Sequence, residues 1–226
     1  MNCNCCGHSK LVQVDVLWKE LIETWRISDE EVSYINRQQG LHCDECNTNL
    51  RAMALAQAFM NLRGYNGIFS NFITSFGQRK LQILEINQAG NLHQFLKRHK
   101  GHLLAEFPSV DMTNLPYKDN SFDYILHSDT LEHVPDPIQG LKECLRVLKP
   151  GGACLYTVPL IVDRLTRSCE GRPPSYHGNT ACADADYLVR TEYGCDAWKH
   201  LALAGFKDCR MYWFDYPAAS ALCGMK

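Results

Sequence analysis

Residues 111–159 read DMTNLPYKDNSFDYILHSDTLEHVPDPIQGLKECLRVLKPGGACLYTVP, and the fold class turns on them. Phe122 to His127 is a short apolar run whose left flank, KDNS at 118–121, is turn chemistry, so it reads as a buried strand. Pro135 and Pro137 then stop the chain from staying extended. From Ile138 onward the spacing becomes helical: Leu141, Leu145 and Leu148 share one face, and Lys142, Glu143 and Arg146 the other. Pro150-Gly151-Gly152 is expected to end that helix, because Pro cannot continue it and Gly accepts the angles of a tight reversal. Cys154 to Val158 is a second strand-forming run. Two buried strands joined by a helix make one right-handed crossover unit of a parallel sheet.

Working outward, Lys80 to Ile86 reads as an earlier buried strand, followed by the turn Glu85–Asn91, a helix over Asn91–His99 and a strand over His102–Phe107. Downstream, residues 160–190 break the regular rhythm, and Gly171, Pro173, Pro174 and Gly178 argue for a long loop of the kind that forms lids or binding surfaces. Tyr193 to Ala204 reads as an amphipathic helix with Trp198 and Leu201 inward and Gly205 as its cap; strands over Cys209–Phe214 and Ala218–Gly224 close the chain.

The string LPYKDNSFDYILHSDTLEHVPDP, with RVLKPGG following at 146–152, resembles the class I S-adenosylmethionine-dependent methyltransferases with a methyltransferase type 11 domain, over roughly residues 79–226. The resemblance implies an α/β fold: a Rossmann-like, seven-stranded, mostly parallel sheet flanked by helices, with Phe122–His127 as the fourth strand and the seventh antiparallel. It implies a glycine-rich turn beside the methionine part of the cofactor, carried here by Glu85, Ala89 and Gly90. Only Gly90 remains of the turn's glycines, so a non-catalytic scaffold that has lost the cofactor stays open as the alternative. It implies Glu106 for the ribose diol, since a carboxylate offers two acceptor oxygens to two adjacent hydroxyls. Asp111 matches the residue that takes the adenine amino group, and Met112 the one that packs on the ring. His127 and Ser128, at the carboxyl end of their strand, are placed to face cofactor or substrate. Pro174-Ser175-Tyr176-His177-Gly178 resembles a PPEYHG-type string of related sequences. Tyr176 and His177, with His133, are therefore the candidates for substrate-side acid–base work, because histidine titrates near neutral pH. The implied activity is methyl transfer to a small-molecule or carrier-bound acceptor. A nicotinamide-dependent oxidoreductase is disfavoured because G-x-G-x-x-G is absent.

Upstream, Cys3-x-x-Cys6-Gly7 pairs with Cys43-x-x-Cys46 just before a helix expected over Asn47 to about Leu62. Two C-x-x-C turns supply four thiolates for a tetrahedral zinc ion, in a treble-clef-like order. Cys5, His8 and His42 stay open as replacement ligands. Two short helices lie between the pairs, Val14–Trp25 and one opened by the capping box Ser28–Glu31. The expected organisation is a zinc-binding helical module over 1–70 and a methyltransferase domain over 71–226, with 64–78 as the hinge.

The 226 residues suffice for one sizeable domain plus an appendage. A net charge of −2 and the lack of a basic run disfavour nucleic acid as a partner. No apolar stretch is long enough for a membrane span and the N-terminus lacks a signal-peptide core, so a cytoplasmic location is expected. Twelve cysteines then read as thiols and metal ligands rather than disulfides. Oligomeric state is left open.

Overall fold

The computed structural model describes residues 1–172, 174–176 and 187–226. The chain opens with the first C-x-x-C turn, then β1 (Leu11–Gln13), α1 (Lys19–Trp25), α2 (Asp29–Gly40) and β2 (Leu41–Cys43), which pairs antiparallel with β1. The capping box forms as expected: Ser28 Oγ accepts from Glu31 N–H, and the Glu31 carboxylate accepts from Ser28 N–H. The first helix starts at Lys19 rather than Val14. Next come α3 (Leu50–Leu62), capped by the Asn49 side chain on Ala52 N–H, and α4 (Phe69–Thr74).

The central sheet follows with β3 (Ile83–Ile86), α5 (His93–Leu96), β4 (His102–Ala105), β5 (Phe122–Ser128), α6 (Pro137–Val147) and β6 (Leu148–Thr157). A small outlying sheet is built from β7 (Leu160–Ile161), β8 (Arg167–Ser168) and β9 (Thr191–Gly194). The chain ends with α7 (Lys199–Ala204), β10 (Asp208–Asp215) and β11 (Ala219–Met225). The sheet order is β4-β3-β5-β6-β11-β10. Strands β4, β3, β5 and β6 are mutually parallel, and β11 runs antiparallel to both of its neighbours. This is an α/β fold around a mostly parallel sheet.

Several expectations are corrected. Among the described residues the central sheet has six strands rather than the seven expected. Beyond β4, residues 106–121 carry only a short 3-10 turn, Met112–Asn114. The Arg146 guanidinium holds that path in place through the carbonyls of Leu115 (2.9 Å) and Tyr117 (2.8 Å) and the Asp119 carboxylate (2.8 Å). Among the described residues no strand covers the outer edge of β4. Helix α6 stops at Val147, before Pro150-Gly151-Gly152, which lie inside β6 where its register with β5 shifts. Gly152 sits so close to the Asp123 carbonyl that a Cβ would come within 2.7 Å of it. Tyr193 belongs to β9, not to a helix; α7 begins at Lys199, and Trp198 is exposed while Leu201 is buried. The helix after the first turn is only His93–Leu96. Within 64–78, the expected hinge, Phe69, Phe72 and Ile73 are fully buried and Phe72 meets Phe59 edge-on at 5.1 Å, while Phe76 is exposed.

Alternation along the strands sends their side chains into two apolar layers. Leu84, Ile125, Cys154, Tyr156 and Leu222 face α6 and α7. Ile83, Tyr124, Leu126, Leu155 and Cys223 face the other way, into one cluster with Leu50, Leu55, Phe59 and Phe72 of the N-terminal helices. Ten of the thirteen residues of α3 are buried, as befits a helix apolar on nearly all sides. Residues 1–70 thus supply the layer over one face of the sheet.

Candidate active site

The N-terminal knuckle brings its four expected ligands together. Cys3, Cys6, Cys43 and Cys46 place their sulfurs within 4.8 Å of one another, with Cys3–Cys46 and Cys6–Cys43 both at 3.6 Å. Four thiolates at about 2.3 Å around a tetrahedral ion stand about 3.8 Å apart, so the donor set fits zinc. Cys5 is fully buried outside this set; its thiol faces Asn4 Oδ1 at 3.4 Å. A hydrogen bond from Cys5 is the largest cause holding the Cys3 thiol down at about 4. The knuckle also touches the turn after β3. Asn91 Nδ2 donates to the Asn47 carbonyl (2.6 Å), and Gln94 Nε2 to that of Cys46 (2.8 Å).

That turn keeps its shape without most of its glycines. Asn87 takes φ +52°, a left-handed angle that asparagine tolerates far better than other non-glycine residues. Its side chain then works on both sides: Oδ1 accepts from Phe107 N–H at 3.0 Å, and Nδ2 donates to Thr130 Oγ1 at 3.3 Å. Gly90 takes φ +53°. Glu85 lies beneath, fully buried. Its Oε1 accepts from Ala89 N–H at 2.8 Å, and its Oε2 from His93 Nδ1 at 2.7 Å and His102 Nε2 at 2.6 Å. These are hydrogen-bond separations; nitrogen and oxygen ligands at about 2.1 Å around a tetrahedral ion would stand about 3.4 Å apart. Glu85 therefore braces the turn from below, with two histidines that sequence reasoning had not singled out.

At the carboxyl ends of β4 and β5, Glu106 is exposed and accepts from Gln88 Nε2 at 3.1 Å across the turn. Asp111 is exposed and takes both Thr113 N–H and Thr113 Oγ1–H on Oδ1, each at 2.8 Å. Met112 is buried against Gly140 of α6. Ser128 is buried, its hydroxyl 2.7 Å from that of Thr157. His127 is fully buried, stacked on Tyr156 at 4.7 Å with an 8° interplanar angle. Burial drives its pKa down to about 3, so the ring is neutral, and it does not reach the surface on which Glu106 and Asp111 lie.

The most informative residue was not anticipated. Arg51, in the first turn of α3, is 2% exposed, pairs with Asp129 just beyond β5, and has a buried Nε with no hydrogen-bond partner among the described residues. Burial lowers its pKa to about 10, against the favourable field of Glu132. A buried guanidinium with an unused donor at strand carboxyl ends is suited to an anion. It lies five residues after Cys46, yet only the fold shows which strand it meets.

On the substrate side, His133 Nδ1–H donates to the Leu188 carbonyl at 3.1 Å, which leaves Nε2 as the ring acceptor, and Tyr176 bridges to the same Leu188. His177 lies outside the described residues. Beside them is a cavity of about 340 Å³, whose wall includes Trp25, Ile35, Glu132, Leu160, Ile161 and Tyr193.

Residues 64–156 match the family model described as a methyltransferase domain. Among curated proteins, a demethylmenaquinone methyltransferase of Bacillus mycoides is 36% identical over 115 residues, 50% of this chain and 42% of that protein. One of Clavibacter sepedonicus is 42% identical over 73 residues, 31% of this chain and 30% of that protein. The chain thus spans less than half the length of these two relatives. A solved Thermotoga maritima structure, described as an S-adenosylmethionine-dependent methyltransferase and possible histamine N-methyltransferase, is 17% identical with a TM-score of 0.45, covering 78% of this chain and 90% of that one. The matched residues carry β3 to β6 and the turns between them, so the similarity to a methyltransferase domain lies in this part of the chain.

Proposed function

We propose that this chain transfers a methyl group from S-adenosylmethionine to a small-molecule or carrier-bound acceptor. The observation that carries the reading is the placement of polar groups past the strand ends: Glu106 beyond β4 and bonded to Gln88 of the turn, Asp111 further along that connection, and the buried Arg51 against Asp129 past β5, within or against the matched residues. The donor set fits the cofactor: carboxylates for the ribose diol and the adenine amino group, and a guanidinium for the methionine carboxylate. S-adenosylmethionine would bring an electrophilic methyl on a sulfonium, so the chain's own task is to bind, orient and exclude water. For a hydroxyl, amine or thiol acceptor, His133 is the base of choice, its ring oriented by the bond from Nδ1–H to the Leu188 carbonyl and its Nε2 3.8 Å from Glu132 Oε1, with Tyr176 and His177 as the further candidates. The scaffold alternative is not favoured, since Asn87 supplies the left-handed angle that a lost glycine would have given.

Residues 1–70 act here as a structural zinc module: the ion fixes the knuckle, the knuckle starts α3, and α3 delivers Arg51. Residues 71–226 act as the catalytic domain. Among the described residues no helix is long and apolar enough to cross a membrane.

Calorimetric titration of the metal-replete protein with S-adenosylmethionine and S-adenosylhomocysteine tests the reading. Micromolar binding, weakened by Glu106→Ala and by Asp111→Ala, supports it. Absence of binding to either molecule returns the scaffold reading.

A further inference from the structure

The cavity beside His133 carries a charge pattern that nothing above accounts for. Its wall holds two acids, Glu132 and Glu192, and three arginines, Arg26, Arg167 and Arg172. Glu192 is paired with Arg167 at 2.9 Å and Arg164 at 3.6 Å. Glu132 faces the buried Arg51. That leaves Arg26 and Arg172, both exposed, with no acidic partner among the described residues.

Arg26 is held where it is at a cost. It caps α1 with φ +52°, a left-handed position that ordinarily goes to glycine or asparagine. Its carbonyl accepts from Arg164 at 2.8 Å, and the same guanidinium binds the Trp25 carbonyl (3.1 Å) and Glu31 (3.0 Å). From the other side, Trp25 Nε1–H donates to Ser175 Oγ at 2.5 Å. The N-terminal helices and the segment after β7 are thus fastened around one opening. Ile35, Leu160, Ile161 and Val189, all buried, give the cavity an apolar interior. Glu132, three residues past Asp129, belongs to the wall, so the cavity adjoins the proposed donor side.

We infer that Arg26 and Arg172 form an anion subsite of the acceptor cavity, and that the acceptor carries a phosphate or carboxylate beside an apolar body. The inference rests on the methyltransferase reading for the word acceptor, and on the cavity alone for the ligand chemistry. A cavity of this size is within the range that encloses a small organic ligand. Charge-assisted bonds to the two guanidinium groups would hold the anion at the opening while the apolar body fills the interior.

The test uses the zinc-replete full chain and three probes of one shape: 1-naphthyl phosphate, 1-naphthoate and neutral 1-naphthol, titrated calorimetrically with and without S-adenosylhomocysteine. At least one anion should bind about tenfold or more tightly than 1-naphthol, the phosphate-to-carboxylate ratio telling which group is preferred. Arg26→Gln and Arg172→Gln, tested separately, should each cut anion binding about tenfold, leave 1-naphthol unchanged and leave S-adenosylhomocysteine binding unchanged. Arg26→Lys should retain part of the preference. Equal binding of 1-naphthol and the anions, indifference of anion binding to both substitutions, or no binding of any probe at millimolar concentration would each overturn the inference. S-adenosylhomocysteine binding reports separately: if it persists while anion preference is absent, the subsite fails and the methyltransferase reading stands. If it is absent while the preference holds, the reverse is true.

Discussion

The proposed donor side of this molecule and the proposed acceptor cavity are assembled from different kinds of segments. On the donor side, Glu85, Glu106, Asp111 and Asp129 all sit at or just past strand ends within forty-five residues of one another, held by successive crossover units. The cavity gathers Trp25 and Arg26 from α1, Ile35 from α2, Glu132 from the loop after β5, and residues from 159 to 193. The lesson is that a parallel sheet places binding groups by its own repeat, whereas the wall opposite must be brought in by separate packing and can vary freely. Arg51 crosses between the two: it belongs to the N-terminal layer but reaches the donor side.

The strongest way to break this contrast is to remove the ion proposed for the knuckle. Chelation, or Cys43→Ser, should damage both sides at once, because α3 covers one face of the sheet and carries Arg51. We expect metal content by mass spectrometry to fall from one equivalent to near zero, the melting temperature to fall by roughly 10 °C or more, and S-adenosylhomocysteine binding to vanish. Unchanged melting after full metal loss would show that the apolar layer holds without the ion.

Arg51→Met separates the sides. It should weaken S-adenosylhomocysteine binding about hundredfold, while stability changes little because Asp129 remains partly solvated and a methionine fills a buried arginine's volume. Calorimetry and thermal melts on the same sample decide it; a large loss of stability with intact binding would make Arg51 purely structural.

A third prediction concerns a group that belongs to neither side. His127 is buried neutral with its pKa near 3, whereas an unfolded histidine titrates near 6.5. Between those values the unfolded chain binds a proton that the native ring refuses, so stability is lost as pH falls from about 6.5 toward 3. The slope is at most about 1.4 kcal/mol per pH unit for this one group. His127→Phe, which keeps a ring against Tyr156, should flatten that part of a stability-versus-pH curve from urea unfolding. An identical slope in wild type and variant would place the acid sensitivity elsewhere.

The smallest effect sharpens the reading of the turn. Both Asn87→Gly and Asn87→Ala lose the bonds to Phe107 N–H and Thr130 Oγ1, but alanine should be about 1 kcal/mol less stable than glycine, since glycine accepts φ +52° freely. If alanine is as stable as glycine, the left-handed angle is not what keeps asparagine there.

The sequence by itself determined the crossover unit around 111–159, a last strand whose antiparallel direction only the family resemblance implied, the capping box at Ser28 and the four cysteines of the knuckle. Each is set by spacing within a short window: period two or 3.6 for strands and helices, and two paired thiols at fixed separation for the metal set. What it could not carry were relations across distance. The strand expected to make seven is missing because Arg146, on α6, ties 115–119 into a path of carbonyl bonds. Within the glycine-containing stretch 64–78, Phe69 and Phe72 join the core because they find Phe59 on another helix. His127 looked like a strand-end ligand, but only the packing shows its ring lying on Tyr156. Arg51 and Arg26 were two ordinary arginines until the tertiary structure buried one and fixed the other on a cavity wall, because burial and charge balance are properties of neighbours that the chain brings together only when folded.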